Sequence, residues 1–243
     1  PYSVQVQVFE RLAFGLEGLW NFNAANANDG SGNGNNGTAG SGVTFLPTGP
    51  TELGGGFAMN ADGSNGDAGI IRVTSSSSLE NADENLTVAF WVNADADENS
   101  DWFRLIRKGS AVNGTTTWMV NRDSGTDEVG IRTDTTGAGG SNNENDHRNT
   151  GDDVLDGVWH HVAYTLEGTP GGSGTVIEYI DGVENSSASY SHGDGLSNAI
   201  DLLIGGRAGG DNMHGQLDDV AIWSRVLDST EVASIAASAV PAN

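Results

Sequence analysis

Cysteine is absent from the 243 residues, which removes disulfides and thiolate metal sites as ways of tying the chain together. Basic residues are also scarce: 10 lysines and arginines stand against 33 aspartates and glutamates, for a formal charge of -23. Lys108 is the sole lysine. Nucleic acids and anionic membrane surfaces are repelled by such a chain, so neither is an expected partner. No apolar run reaches the length needed to cross a bilayer, which argues against membrane insertion, and no segment reads as a signal peptide. What the composition invites is cations, whose binding to the folded form would stabilise it by mass action. With 36% hydrophobic residues the chain can bury one substantial core, and a single domain is expected.

Alternation supplies most of the secondary structure. Tyr2, Val4, Val6 and Val8 alternate with Ser3, Gln5 and Gln7, and Leu86, Val88, Phe90 and Val92 with Thr87, Ala89 and Trp91. Shorter runs at 16–22, 43–46, 54–59, 69–73, 103–107, 116–121, 128–133, 159–166, 175–180, 200–204 and 216–223 read as further strands. Asp181-Gly182 signals a two-residue hairpin. Residues 135–153 read as a long polar loop. The one helix comes last: Asp228 can cap it, Glu231 can reach back, and Val232, Ile235 and Ala236 form an apolar stripe. Many short strands and one terminal helix predict an all-β, two-sheet antiparallel jelly-roll sandwich.

Asp29, Ser31 and Asn33, two residues apart with Gly34 behind them, have the opening spacing of an oxygen-ligand calcium loop. Where such a loop would place a bidentate glutamate the chain has Gly40. The remaining ligands would have to be carbonyls and a distant carboxylate, for which Asp218 is the candidate; alternatively the Asn-Gly and Asp-Gly pairs simply make turns. For catalysis, Glu178 and Asp181 are spaced to opposite faces of a strand, unlike the facing carboxylates of a glycosidase. His160 and His161 likewise point opposite ways, and a packing role is expected for both. Trp102, Tyr190 and His192 lie in loop-like contexts that suit a glycan, whereas Trp20, Trp91, Trp159 and Trp223 read as packing residues.

Taken in order, "GLEGLWNF", "NDGSGNGNNG", "LTVAFWVNAD", "DGVWHHVAYTL", "IEYIDGVE", "LLIGGR" and "GQLDDVAIWSRVLDSTEV" resemble the laminin-G-like, concanavalin A-like jelly-roll modules of bacterial extracellular proteins. The resemblance implies two stacked antiparallel sheets and a structural Ca2+ held by Asp29, Asn33, Asn36 and Asp218. It places the module at 15–238, an additional N-terminal segment at 1–14 and a tail at 239–243. The strand at 1–9 would pair either with its own sheet edge or with a neighbouring subunit. The expectation is therefore a secreted or cell-surface, non-catalytic, calcium-stabilised adhesion or structural module. Its partners would be extracellular glycan or matrix, or copies of itself assembled through Tyr2, Val4, Val6 and Val8. A carbohydrate-binding module is the alternative reading, and a glycoside hydrolase ranks third.

Overall fold

The computed structural model describes residues 10–99, 102–109, 116–122, 126–134, 144–148, 153–191 and 195–240, without the side chains of 116, 134, 144–148 and 191. Its strands are β1 (Leu16–Trp20), β2 (Gly37–Ala39), β3 (Val43–Leu46), β4 (Ala58–Asp62), β5 (Ile71–Val73), β6 (Asn85–Ala94), β7 (Arg104–Gly109) and β8 (Thr116–Arg122). They continue with β9 (Val129–Asp134), β10 (Glu144–Arg148), β11 (His160–Gly168), β12 (Ser173–Ile180), β13 (Val183–Ser191), β14 (Leu202–Ile204) and β15 (His214–Trp223). The first sheet runs β13-β12-β11-β6-β15-β4-β3, with β1 also paired to β15; the second runs β10-β9-β8-β7-β14-β5-β2. Every ladder is antiparallel. The expected jelly-roll sandwich is the observed fold.

Alternation explains the core. Leu86, Val88, Phe90 and Val92 of β6 meet Ile71, Leu105, Val120, Ile131 and Ile204 of the opposite sheet, all at 0% exposure. Each fully buried side chain of this size contributes roughly 1.5–3 kcal/mol. The other face of the first sheet carries a second apolar layer of Leu19, Ala89, Ala163, Ala221 and Trp223. Helix α1 (Ser229–Ala237) closes it with Val232 and Ile235, and begins with the expected capping box between Asp228 and Glu231.

Two expectations change. Residues 10–13 are helical, and Leu12 is buried in that second layer while its carbonyl accepts from Trp223 Nε1 at 2.8 Å. The end of the supposed N-terminal addition is therefore part of the module. Arg225 fastens it further by donating to the carbonyls of Arg11 and Phe14 and to Glu231. A strand, β10, occupies part of the stretch read as loop, because pairing with β9 overrides its polar composition. The 1–9 strand, with Tyr2, Val4, Val6 and Val8, lies outside the described residues.

Candidate functional site

The 28–37 loop is stapled along the edge of β1 that faces away from β15. Asp29 accepts from Leu19 N–H at 3.0 Å, Ser31 N–H and hydroxyl at 2.8 Å each, and Asn35 N–H at 2.9 Å. Asn36 Oδ1 accepts from Asp29 N–H, and Asn33 donates to the carbonyls of Leu16 and Glu17. Asn35, not singled out from sequence, is buried and donates to Glu17 O at 2.7 Å and Ser78 Oγ at 2.8 Å. These oxygens and amides do the work a neighbouring strand would do. Within the expected set of Asp29, Asn33, Asn36 and Asp218, the Asp29 carboxylate accepts four local hydrogen bonds.

Asp218 lies on the outer face of the first sheet, where a different set of oxygens meets it. A Cβ on Gly49 would stand 2.8 Å from Asp218 Oδ2 and 3.2 Å from the Gly56 carbonyl oxygen, and one on Gly56 would stand 2.1 Å from Asn23 Oδ1. Glycine at 49 admits the Asp218 carboxylate and the Gly56 carbonyl, and glycine at 56 admits the Asn23 amide oxygen, hard donors of the kind calcium takes. Burial and the adjacent Asp219 push the Asp218 carboxyl up to about 8, and burial raises Asp219 to about 6. Asp219 has φ 42 at the bulge in β15, and its Oδ2 accepts from Val240 N–H at 2.9 Å. A cation at Asp218 would favour the charged form that burial disfavours. The chemistry of these oxygens fits the ion.

Of the three residues proposed for a glycan, Trp102 is 39% exposed beside β7, with the Arg132 guanidinium 5.4 Å from its ring centroid. Tyr190 is only 3% exposed and packs over Gly174, so it belongs to the core and not to a binding surface. It lies on strand β13 and not in the expected loop-like context. His192 lies outside the described residues.

A better site appears where β4, β15 and β6 run side by side. Ladder registers place Asn60, Gln216 and Asn93 level with one another, flanked by Thr44 on β3. Because Met59, Leu217 and Val92 enter the core, alternation turns all three amides outward. The pairing of His160 with Val92 brings Trp159 to the far end of this row. Its Nε1 donates to Thr48 O at 3.0 Å, while Thr48 Oγ1 donates to Gln216 Oε1 at 2.8 Å. Thr48 thus ties the indole and the amide together. The next row holds His214 and Asp95. A groove of about 300 Å3 runs over both rows, lined by Asn60, Asn93, Asp95, Glu98, Gly157, His214 and Gln216 among others.

The groove's rim is held from across the molecule. Asn99 donates to the carbonyls of Asp95 and His214 and accepts from His214 N–H. Arg122, 6% exposed at the end of β8, donates to the carbonyls of Thr126, Ala96 and Asn99. This fixes the 3-10 turn Ala96–Glu98, which carries Glu98 to 3.4 Å from His214 Nδ1. Charge is partitioned in the same way: Arg72, Arg104, Arg107, Lys108, Arg122, Arg132 and Arg148 all lie in strands of the second sheet. The strands of the first sheet contain neither lysine nor arginine.

The sequence model of the concanavalin A-like lectin/glucanases superfamily, in its laminin-G form, matches residues 64–233. The chain belongs to that superfamily. Among solved superfamily-like folds, the binding domain of Paraclostridial Mosquitocidal Protein 1 superposes with a TM-score of 0.70 at 17% identity, covering 93% of this chain and 52% of that one. The botulinum neurotoxin type G receptor binding domain gives 0.61 at 17% identity, over 86% and 47%. Domain 4 of AbnA, a GH43 extracellular arabinanase from Geobacillus stearothermophilus solved with arabinotriose, gives 0.64 at 18% identity, over 91% and 98%. The chain thus spans about half the length of the two toxin domains and nearly all of the arabinanase domain. No curated protein matches it in sequence.

Superfamily membership brings glucanase chemistry into consideration, which needs paired carboxylates facing a cleft. Glu178 is 4% exposed and accepts from Tyr164, Asn185 and Ser186. Asp181 sits in the expected hairpin, with φ 50 followed by Gly182 at φ 80, and accepts from His161 N–H. The two acids belong to different environments.

Proposed function

We propose that this superfamily member is a non-catalytic carbohydrate-binding module of an extracellular protein, with its site in the amide-lined groove of the first sheet. The observation that carries the reading is the level row of Asn60, Gln216 and Asn93 beside Trp159. Each primary amide offers two donors and an acceptor in one plane, which suits the paired hydroxyls of a sugar ring. An aromatic side chain at the row's end supplies apolar area for a ring's C–H face. Glu178 is consumed by Tyr164, Asn185 and Ser186 and is not among the groove's lining residues, whose carboxylates are Asp95 and Glu98. The similar arabinanase domain with its arabinotriose is in keeping with this assignment.

Within the same reading, calcium steadies the fold at Asp218, Gly56 and Asn23, and the ion's role is structural. Affinity electrophoresis in a panel of soluble polysaccharides tests the binding reading. Retardation by at least one glycan is expected, with Asn93→Ala and Gln216→Ala abolishing it. Release of reducing sugar from that glycan would overturn the non-catalytic assignment.

A further inference from the structure

The same groove also specifies what kind of chain it takes, an inference that rests on the reading just given. We propose that it receives an internal stretch of a linear, uncharged polysaccharide laid across the strands, and that it rejects carboxylated and sulfated chains. Direction comes from the ladder. Asn60, Gln216 and Asn93 are level on adjacent strands, so with neighbours about 4.8 Å apart they span roughly 10 Å, or about 14 Å to Trp159. A ligand following them runs perpendicular to the strands. Among the described residues neither end is walled: Thr44 is exposed beyond Asn60, and Gly157 and Val158 are exposed at the other end. A site of this shape reads the middle of a chain and not its terminus.

Charge gives the selectivity. The ionisable lining is Asp95, Glu98 and His214, and His214 already faces Glu98 at 3.4 Å. Asp95 Oδ1 accepts only from Asp97 N–H among the described residues. Sugar hydroxyls would donate to these carboxylates, whereas a ligand carboxylate or sulfate would bring a like charge against them with no lysine or arginine in the lining to answer it. Like-charge contacts at an interface are a means of rejection. The amides between them discriminate no charge and can satisfy hydroxyls in both senses.

The test uses the whole chain in affinity electrophoresis with neutral polymers (β-glucan, xylan, arabinan, galactomannan) and acidic ones (polygalacturonate, alginate, carrageenan). Retardation by a neutral polymer and by none of the acidic ones is expected, lost in Asn93→Ala and Gln216→Ala. Calorimetry with oligosaccharides of the retained polymer should then show affinity rising about tenfold, or 1.4 kcal/mol, from disaccharide to tetrasaccharide. Capping the reducing end should leave it unchanged. Acidic polymers retained as well as neutral ones, with the same two variants abolishing both, would overturn the selectivity while leaving glycan binding intact. Dependence on a free chain end would overturn the internal mode. Silence across the whole panel would remove the glycan reading and this inference together.

Discussion

The two sheets share one core and present opposite chemistry. The first carries amides, histidines and carboxylates on its outward rows and no cationic side chain in any strand; the second holds seven of the chain's 10 lysines and arginines within its strands. In the second sheet those cations are largely answered from within. Arg72 meets Asp67 at 2.7 Å and Asp201 at 3.0 Å, Arg104 meets Asp211 at 2.7 Å, and Lys108 donates to Ser75 Oγ and the Ile200 carbonyl. The lesson is that few cations on a very acidic chain are used as internal fasteners, and that the surface left without them is the one proposed to take neutral ligands.

The sharpest way to break this contrast is to remove a fastener that reaches the other sheet. Arg122→Ala deletes three charge-assisted bonds to carbonyls and should cost about 3 kcal/mol in urea unfolding, loosening the Ala96–Glu98 turn as well. A loss below about 1 kcal/mol would make Arg122 a bystander.

Next in size is the acidic pair at β15. Asp218 has its pKa raised from 3.8 to about 8, so its protonated form is favoured by folding. That contribution is complete below about pH 4 and is lost as pH rises through 8. In chelator the melting temperature should therefore fall between pH 5 and pH 9, by roughly 5 °C or more. Calcium should flatten the curve, and Asp218→Asn should leave only the part owed to Asp219, near pH 6. An equal fall with and without calcium would remove the ion from Asp218.

Smaller effects sharpen the comparison at the two surfaces. Gln216→Ala should weaken glycan binding by about tenfold or more, at least about 1.4 kcal/mol, enough to remove retardation, while stability stays within about 0.5 kcal/mol. Trp102→Ala, on the second sheet's side, should change binding less than about twofold; a larger loss would move the site to the Trp102–Arg132 pair.

The sandwich was legible in the sequence because Leu86, Val88, Phe90 and Val92 of β6 alternate with Thr87, Ala89 and Trp91, and the helix because Asp228 and Glu231 form a box within one turn. Asp218 stood out as the distant carboxylate for a calcium site. The groove was not legible, since Asn60, Asn93 and Gln216 come from three distant strands and only register makes them level. Outward amides on alternating strands were a signal, but one without a partner until the ladders were known. Tyr190 misled because β13 is made of small polar residues, and the spacing around Asp29 also suits three backbone amides and a hydroxyl.

The stapled 28–37 loop has a consequence for how copies of the molecule meet. A bare strand margin invites a foreign strand to zip on, the usual route to domain exchange and fibrils. Along β1 that invitation is withdrawn: Leu19 N–H is already taken by Asp29, and the carbonyls of Leu16 and Glu17 by Asn33 and Asn35. Any polymer built by strand donation has to use another rim of the sandwich.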